Sequence, residues 1–255
     1  MACGKSFRVP SAFMPFSSLR RACLAAMATS PRPGGAHLIR RNLLSTPTVE
    51  RPLAPAIADP APLGLAAFAL TTFLISVANA GWTRGGGNEW LAYALAYGGL
   101  AQLLAAMWEF RNGNVFGAAA FGTFGPFWIG LYVYVKFVAG TAGENVLNDL
   151  GWILLAFAIF TLALLILSAQ ANMALFLVFL FLELALIVLA IGRFSASTGT
   201  IKIGGYLGVV TALLAWYLAT AGIAAGMGGR VKLPVGRPLI RPLAASPASP
   251  ALGES

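Results

Sequence analysis

Leu150–Ile191 reads LGWILLAFAIFTLALLILSAQANMALFLVFLFLELALIVLAI, 42 residues in which Glu183 is the only charge. The run is too long for one membrane-crossing helix and has a single soft point, Gln170-Ala171-Asn172. It divides there into two stretches of about 20 apolar residues, the length that carries an α-helix across a ~30 Å hydrocarbon core at 1.5 Å per residue. The same criterion, applied outward, finds segments at 63–81, 90–110 and 118–139 before this run and at 203–226 after it, so that 150–170 and 172–191 are the fourth and fifth of six. The links between them are short: Trp82 to Glu89, Arg111 to Gly117, Gly140 to Asp149, Ala171 alone, and Gly192 to Lys202. None can house a soluble domain. With 58% hydrophobic and 10% charged residues, the 255-residue chain falls outside the soluble globular class. The expected fold is an all-α integral membrane protein with six transmembrane helices.

Charge distribution orients it. Of 17 Lys and Arg, eight lie in residues 1–58 with one acid, Glu50, and four (Arg230, Lys232, Arg237 and Arg241) lie in 227–255 with one acid, Glu254. The body between holds five bases and six acids. Six spans put both tails on one side, and the basic excess in the tails places that side in the cytoplasm. Arg84, Arg193 and Lys202 are then expected to face outward. A net charge of +9 whose basic excess sits in two tails flanking an apolar body reads as topology and lipid-headgroup contact, with no nucleic-acid partner. The chain divides into a basic tail (1–58), a six-helix domain (59–226) and a basic, Pro-rich tail (227–255) expected to be disordered.

The N-terminal tail has no acid before Glu50 and carries Arg20, Arg21, Arg32, Arg40 and Arg41 among Ser, Ala and Pro. It is read as a disordered extension, with Met14 and Met27 as alternative starts. An organelle transit peptide has the same composition and is the alternative. Cys3, Cys23 and His37 all lie in this tail. The apolar body therefore has no disulfide, no haem-ligating or zinc-ligating histidine and no Ser-His-Asp set. No metal, no cofactor and no enzymatic activity are expected.

Asp59-Pro60-Ala61-Pro62-Leu63-Gly64-Leu65 is a helix-start cassette, an acid that caps free N–H groups followed by prolines suited to a first turn. The seven residues resemble the Asn-Pro-Ala-Pro-Leu-Gly-Leu signature of the GPR/FUN/YaaH family of acetate and succinate transporters. Tyr97-Gly98-Gly99, Gln102, Glu109 and Gly113-Asn114-Val115-Phe116-Gly117 follow in that family's order and spacing. So do Phe121, Gly125-Pro126-Phe127-Trp128, Ala190-Ile191-Gly192 and Leu233-Pro234-Val235-Gly236. The resemblance covers residues 59–236. Asp59 departs from the signature's Asn; both cap helices, so the fold is expected to survive while the part of a neutral amide in anion passage is put in question.

The resemblance implies a six-helix protomer that assembles into a hexamer in the plasma membrane, with a pathway through each protomer narrowed by Phe68, Phe124 and Leu182. Phe124 stands where the family has a familiar tyrosine, which removes one hydrogen-bond donor from the narrowest part. Without the resemblance, these three residues read as ordinary packing or lipid-facing side chains.

The residues themselves add polar candidates. An ionised carboxylate at Glu183, near the middle of the fifth segment, would cost at least ~2.5–3.5 kcal/mol on insertion scales. It reads as a proton-titrating group beside the pathway or as a hydrogen-bonded acid inside the bundle or between protomers. Leu182 and Glu183 differ by ~100° around a helix, so both cannot point down one narrow pore. Lys136, near a helix end, is expected to snorkel. Glu109 reads as an ion-pair partner of Arg111 or a helix-end anchor. Asn114 can cap the third helix and leave its positive end open to a carboxylate. Gln102 is a helix-helix contact or a pathway group. Gly98-Gly99, Gly204 with Gly208, and Gly222 with Gly226 read as close-packing positions. The leading function is a transporter or channel for acetate and related short carboxylates, succinate included. The alternative is a non-transporting membrane scaffold or a sensor of acid or ammonium.

Overall fold

The structure is a computed structural model, and it describes residues 57–84 and 88–240. The N-terminal tail up to residue 56, with Cys3, Cys23 and His37, and residues 241–255 lie outside the described residues.

Every regular element among the described residues is helical. α1 is Ala61–Asn79, α2 is Trp90–Asn112, α3 is Val115–Val133, α4 is Val146–Ser168, α5 is Met173–Phe194 and α6 is Thr198–Gly226. By length and composition five helical stretches can cross a membrane, because Val115–Ser168 is helical nearly throughout and counts as one stretch of 54 residues. The expected link Gly140–Asp149 is thus not an open loop. A π-helical turn, Tyr134–Val138, and short helical pieces at Ala139–Ala142 and Gly143–Asn145 fill it.

A straight helix of that length would be about 80 Å long, and the contacts exclude it. Tyr134 Oη donates to Asp149 Oδ2 at 2.9 Å, across 15 positions that a straight helix would set about 22 Å apart. The rings of Phe127 and Phe157 meet edge to face at 4.7 Å. The chain therefore doubles back, with Gly143 at φ +57° supplying a left-handed break that a residue with a Cβ resists. α3 and α4 form a helical hairpin.

α1 sits centrally, packed on α6 and α2, while α5 packs on α4 and α6, and α2 on α3. Small residues set these approaches. A Cβ on Gly64 would stand 2.6 Å from the Phe121 ring, and one on Gly98 2.5 Å from Thr71 Oγ1. Gly204 abuts Leu189, Gly208 abuts Ser76, and Gly222 abuts Pro62, whereas Gly226 faces open space and has no packing role among the described residues. Helix starts are held by side chains: Asn114 Oδ1 accepts from Gly117 N at 3.0 Å, Asn172 Oδ1 from Leu175 N at 2.9 Å, and Ser197 Oγ from Thr200 N at 3.3 Å. Each such cap is worth ~1 kcal/mol. At the head of α1 the residue flanking the helix is Pro60, one later than the cassette suggests, and Asp59 Oδ1 accepts from Ala61 N at 3.0 Å.

The segment after α6 departs from expectation. It is non-helical, as its prolines require, but residues 233–240 are tied to the bundle. Tyr217 Oη donates to the Pro234 carbonyl at 2.7 Å, Ala174 N to the Val235 carbonyl at 2.9 Å, and the N–H groups of Leu239 and Ile240 to the Ala169 carbonyl at 2.9 and 3.0 Å. The strap thereby satisfies Ala174 N–H in the first turn of α5, which has no partner within its own helix.

Candidate functional site

Besides a pocket of about 380 Å³ between α3 and α4, two cavities among the described residues follow one another between the helices. The first, about 370 Å³, is formed by the start of α1 (Asp59, Pro62), the start of α3 (Asn114, Phe116), the start of α5 (Asn172, Leu175) and the end of α6, with Leu233 and Val235 of the strap across it. The second, about 100 Å³, reaches the other helix ends, at Asn79 of α1, Trp90 of α2 and Arg193 of α5.

Phe68, Phe124 and Leu182 line both cavities. They come from α1, α3 and α5, are at most 6% exposed, and stand between the two spaces. The rings of Phe68 and Phe124 meet edge to face at 5.7 Å, and Phe124 also contacts Phe127 at 6.0 Å and Phe157 at 6.3 Å. A T-shaped pair of this kind holds ring orientation as well as excluding water. Phe124 is thus the wall residue most enclosed by other rings.

The polar candidates separate. Asp59, Gln102 and Asn114 line the first cavity. Gln102 is 1% exposed and its Oε1 has no hydrogen-bond partner among the described residues. Glu183 is buried, lines neither cavity, and its Oε2 also lacks a partner. Leu182 thus lines both cavities while Glu183, one position on and ~100° round the helix, lines neither.

One expectation is corrected in part, the ion pair of Glu109 with Arg111. Glu109 is fully buried rather than paired at the surface. Arg111, two positions on and so ~200° round the helix, is exposed. The Glu109 carboxylate converges instead with Asn114 on Gly117, where a Cβ would stand 2.7 Å from Glu109 Oε1 and 2.6 Å from Asn114 Nδ2. Gly113, at φ +76°, turns the chain between α2 and α3 so that this convergence forms. Arg193 lines the second cavity and donates from Nη2 to Asn79 Oδ1 at 2.9 Å. Arg84 and Lys202 are exposed, as is Lys136.

Sequence reasoning missed Asn172, Thr72, Trp128, Asn79 and Arg193 as cavity residues. Asn172 carried a signal, an Asn immediately before an apolar run. Thr72 and Trp128 were masked by their apolar surroundings, and which way Arg193 points depends on α1, 114 positions away. Among the described residues no group of three His, Cys, Asp or Glu side chains gathers as a metal site would need.

Comparison with known proteins places this geometry. Acetate permease A of Emericella nidulans is 40% identical over 195 residues, covering 70% of this chain and 65% of the permease, so the chain spans just under two thirds of that relative's length. The succinate-acetate/proton symporter SatP of Escherichia coli strain K12 is 33% identical over 181 residues, covering 71% of this chain and 96% of the symporter. The solved structure of the bacterial acetate channel SatP superposes with a TM-score of 0.65 at 33% identity, over 71% of this chain and all of that one. The sequence model of the GPR1/FUN34/yaaH family matches residues 44–236, well over half of the sequence, and the chain belongs to that family.

Proposed function

We infer that the protein passes acetate and related short carboxylates, succinate among them, across a membrane, and that the two cavities are the two halves of its pathway. The observation that carries this is the shared wall. Two cavities at opposite helix ends have only Phe68, Phe124 and Leu182 in common. An apolar constriction between wetter vestibules restricts ions and large solutes and admits small ones. The relatives supply the substrate class, since one is named an acetate permease and another a succinate-acetate/proton symporter.

In this reading the α3–α4 hairpin counts as two crossings, giving six. Both termini and the first cavity then lie on the cytoplasmic side, and the second cavity faces outward, in the plasma membrane. The apolar outer face, with Phe110, Ile159 and Leu104 more than half exposed, suits lipid and neighbouring protomers of a hexamer. Passage of a carboxylate through such a pathway involves no catalytic step.

The test is uptake of labelled acetate into proteoliposomes, run with and without a proton gradient and with a panel of competing carboxylates. Gradient-dependent uptake identifies symport, and gradient-independent uptake a channel. A scaffold or sensor would give no uptake above empty vesicles.

A further inference from the structure

The charges of the bundle are unevenly shared between its two ends. Where α1, α3 and α5 begin and α6 finishes, the described residues hold four exposed bases, Arg111, Arg230, Lys232 and Arg237, against exposed Asp59 and buried Glu109. Three of these bases belong to the strap after α6, and no acid interrupts it between Met227 and Ile240. At the other end the bases are interspersed with three acids, Glu89, Glu144 and Asp149.

The strap has two sides. Leu233 and Val235 are half-buried and line the first cavity, while Lys232, Pro234 and Gly236 are exposed, the alternation of an extended chain. Backbone groups hold it in that attitude, through the bonds from Tyr217 Oη and Ala174 N and the two to the Ala169 carbonyl. No basic side chain is used in these bonds. Apolar side chains are exposed beside the bases: Met227 is 79% exposed, Val231 64% and Ile240 53%. The strap begins where α6 ends at Gly226, the level at which a spanning helix leaves the hydrocarbon. At that level the composition is complementary on both counts, since apolar side chains enter the headgroup boundary and Lys and Arg attract anionic lipid.

We propose that the strap is a docking surface for the anionic phospholipid headgroups of a bilayer, engaged through Arg230, Lys232 and Arg237, and that this contact keeps Leu233 and Val235 seated over the first cavity. The inference is independent of what passes through the protomer. It also differs from a purely topological role for the bases, because a charge bias that only orients the helices on insertion predicts no response of the finished protein to lipid charge.

The test is hydrogen exchange, followed by mass spectrometry, on the full-length protein in nanodiscs of phosphatidylcholine alone or of phosphatidylcholine with phosphatidylserine. The readouts are the N–H groups of Leu239 and Ile240, which donate to the Ala169 carbonyl, and of Ala174, which donates to the Val235 carbonyl; each exchanges when the strap lifts. Anionic lipid should slow them at least about fivefold, the effect of a single base at an anionic surface, and high salt should remove the slowing. The triple variant Arg230→Gln, Lys232→Gln, Arg237→Gln should exchange as the wild type does in neutral lipid and lose the response to phosphatidylserine. The charge-keeping pair Arg230→Lys, Arg237→Lys should retain it. Equal exchange of the wild-type protein in the two lipids overturns the proposal, and that comparison needs no variant to fold. A slowing that survives in the triple variant overturns it as well. So does a slowing reproduced in neutral discs by inorganic phosphate, which would make the strap a site for free anions and not for a membrane surface.

Discussion

At the scale of single residues, chemistry at the cavity walls depends on where a side chain's neighbours stand. Asp59 does two jobs that can be pulled apart. Its Oδ1 accepts from Ala61 N–H, which an asparagine oxygen does equally well, and its charge stands in the wall of the first cavity. At ~7 Å in water a unit charge repels an approaching carboxylate by about 0.6 kcal/mol, close to a threefold effect. Asp59→Asn should therefore keep the melting temperature and lower the half-saturating acetate concentration about threefold. That gain should shrink at high salt. Glu183 has a different expectation. It lines neither cavity, so the neutral Glu183→Gln variant is expected to keep the wild-type response of uptake to a proton gradient. Loss of that response in a properly assembled variant would return Glu183 to the proton path.

Elements are positioned by glycines and by one extended segment. Gly64 allows α1 to lie against the Phe121 ring of α3. In Gly64→Ala the added methyl must push the ring or the helix, at a cost of ~1–3 kcal/mol that a detergent melting curve will register. The strap makes a second prediction. A chain ended after Gly229 loses the partners of Ala174 N–H and Ala169 C=O, worth ~1 kcal/mol each, and uncovers the cavity that Leu233 and Val235 line. It should melt several degrees lower and take up bulkier acids. The helices themselves were legible in the sequence, because a span is a local property of about 20 apolar residues. The strap was not, since its prolines exclude a helix without saying whether carbonyls of Pro234 and Val235 will find donors on α6 and α5. Nor was the filled α3–α4 link, where Gly140, Gly143 and Asn145 read as a loop and the backbone stays helical on either side of one left-handed glycine. The inward turn of Arg193 was illegible for the same reason, as it needs Asn79 from another helix.

On the scale of the whole molecule, the apolar wall exists only when α1, α3 and α5 are assembled, since each contributes one of its three side chains. No single segment shows it, and the sequence reached it through resemblance rather than through periodicity. Its mechanical consequence follows from the contacts. Phe68 and Phe124 touch each other, and Phe124 is braced by Phe127 and Phe157, while Leu182 closes the wall from α5. Replacing any one with Ala should join the two cavities and raise flux or admit bulkier acids, with no simple loss of function. Phe124→Ala should have the largest effect on stability, in the ~3–5 kcal/mol range for a buried phenylalanine, because it also unseats its two bracing rings. The Phe68→Ala and Phe124→Ala effects should be non-additive in a double-mutant cycle, since the rings are in contact, whereas two independent lipid-facing residues would add. Uptake of acetate against longer acids, measured in vesicles for the three single variants and the Phe68/Phe124 pair, decides it. Unchanged selectivity in all four folded variants would show that the carboxylate passes elsewhere.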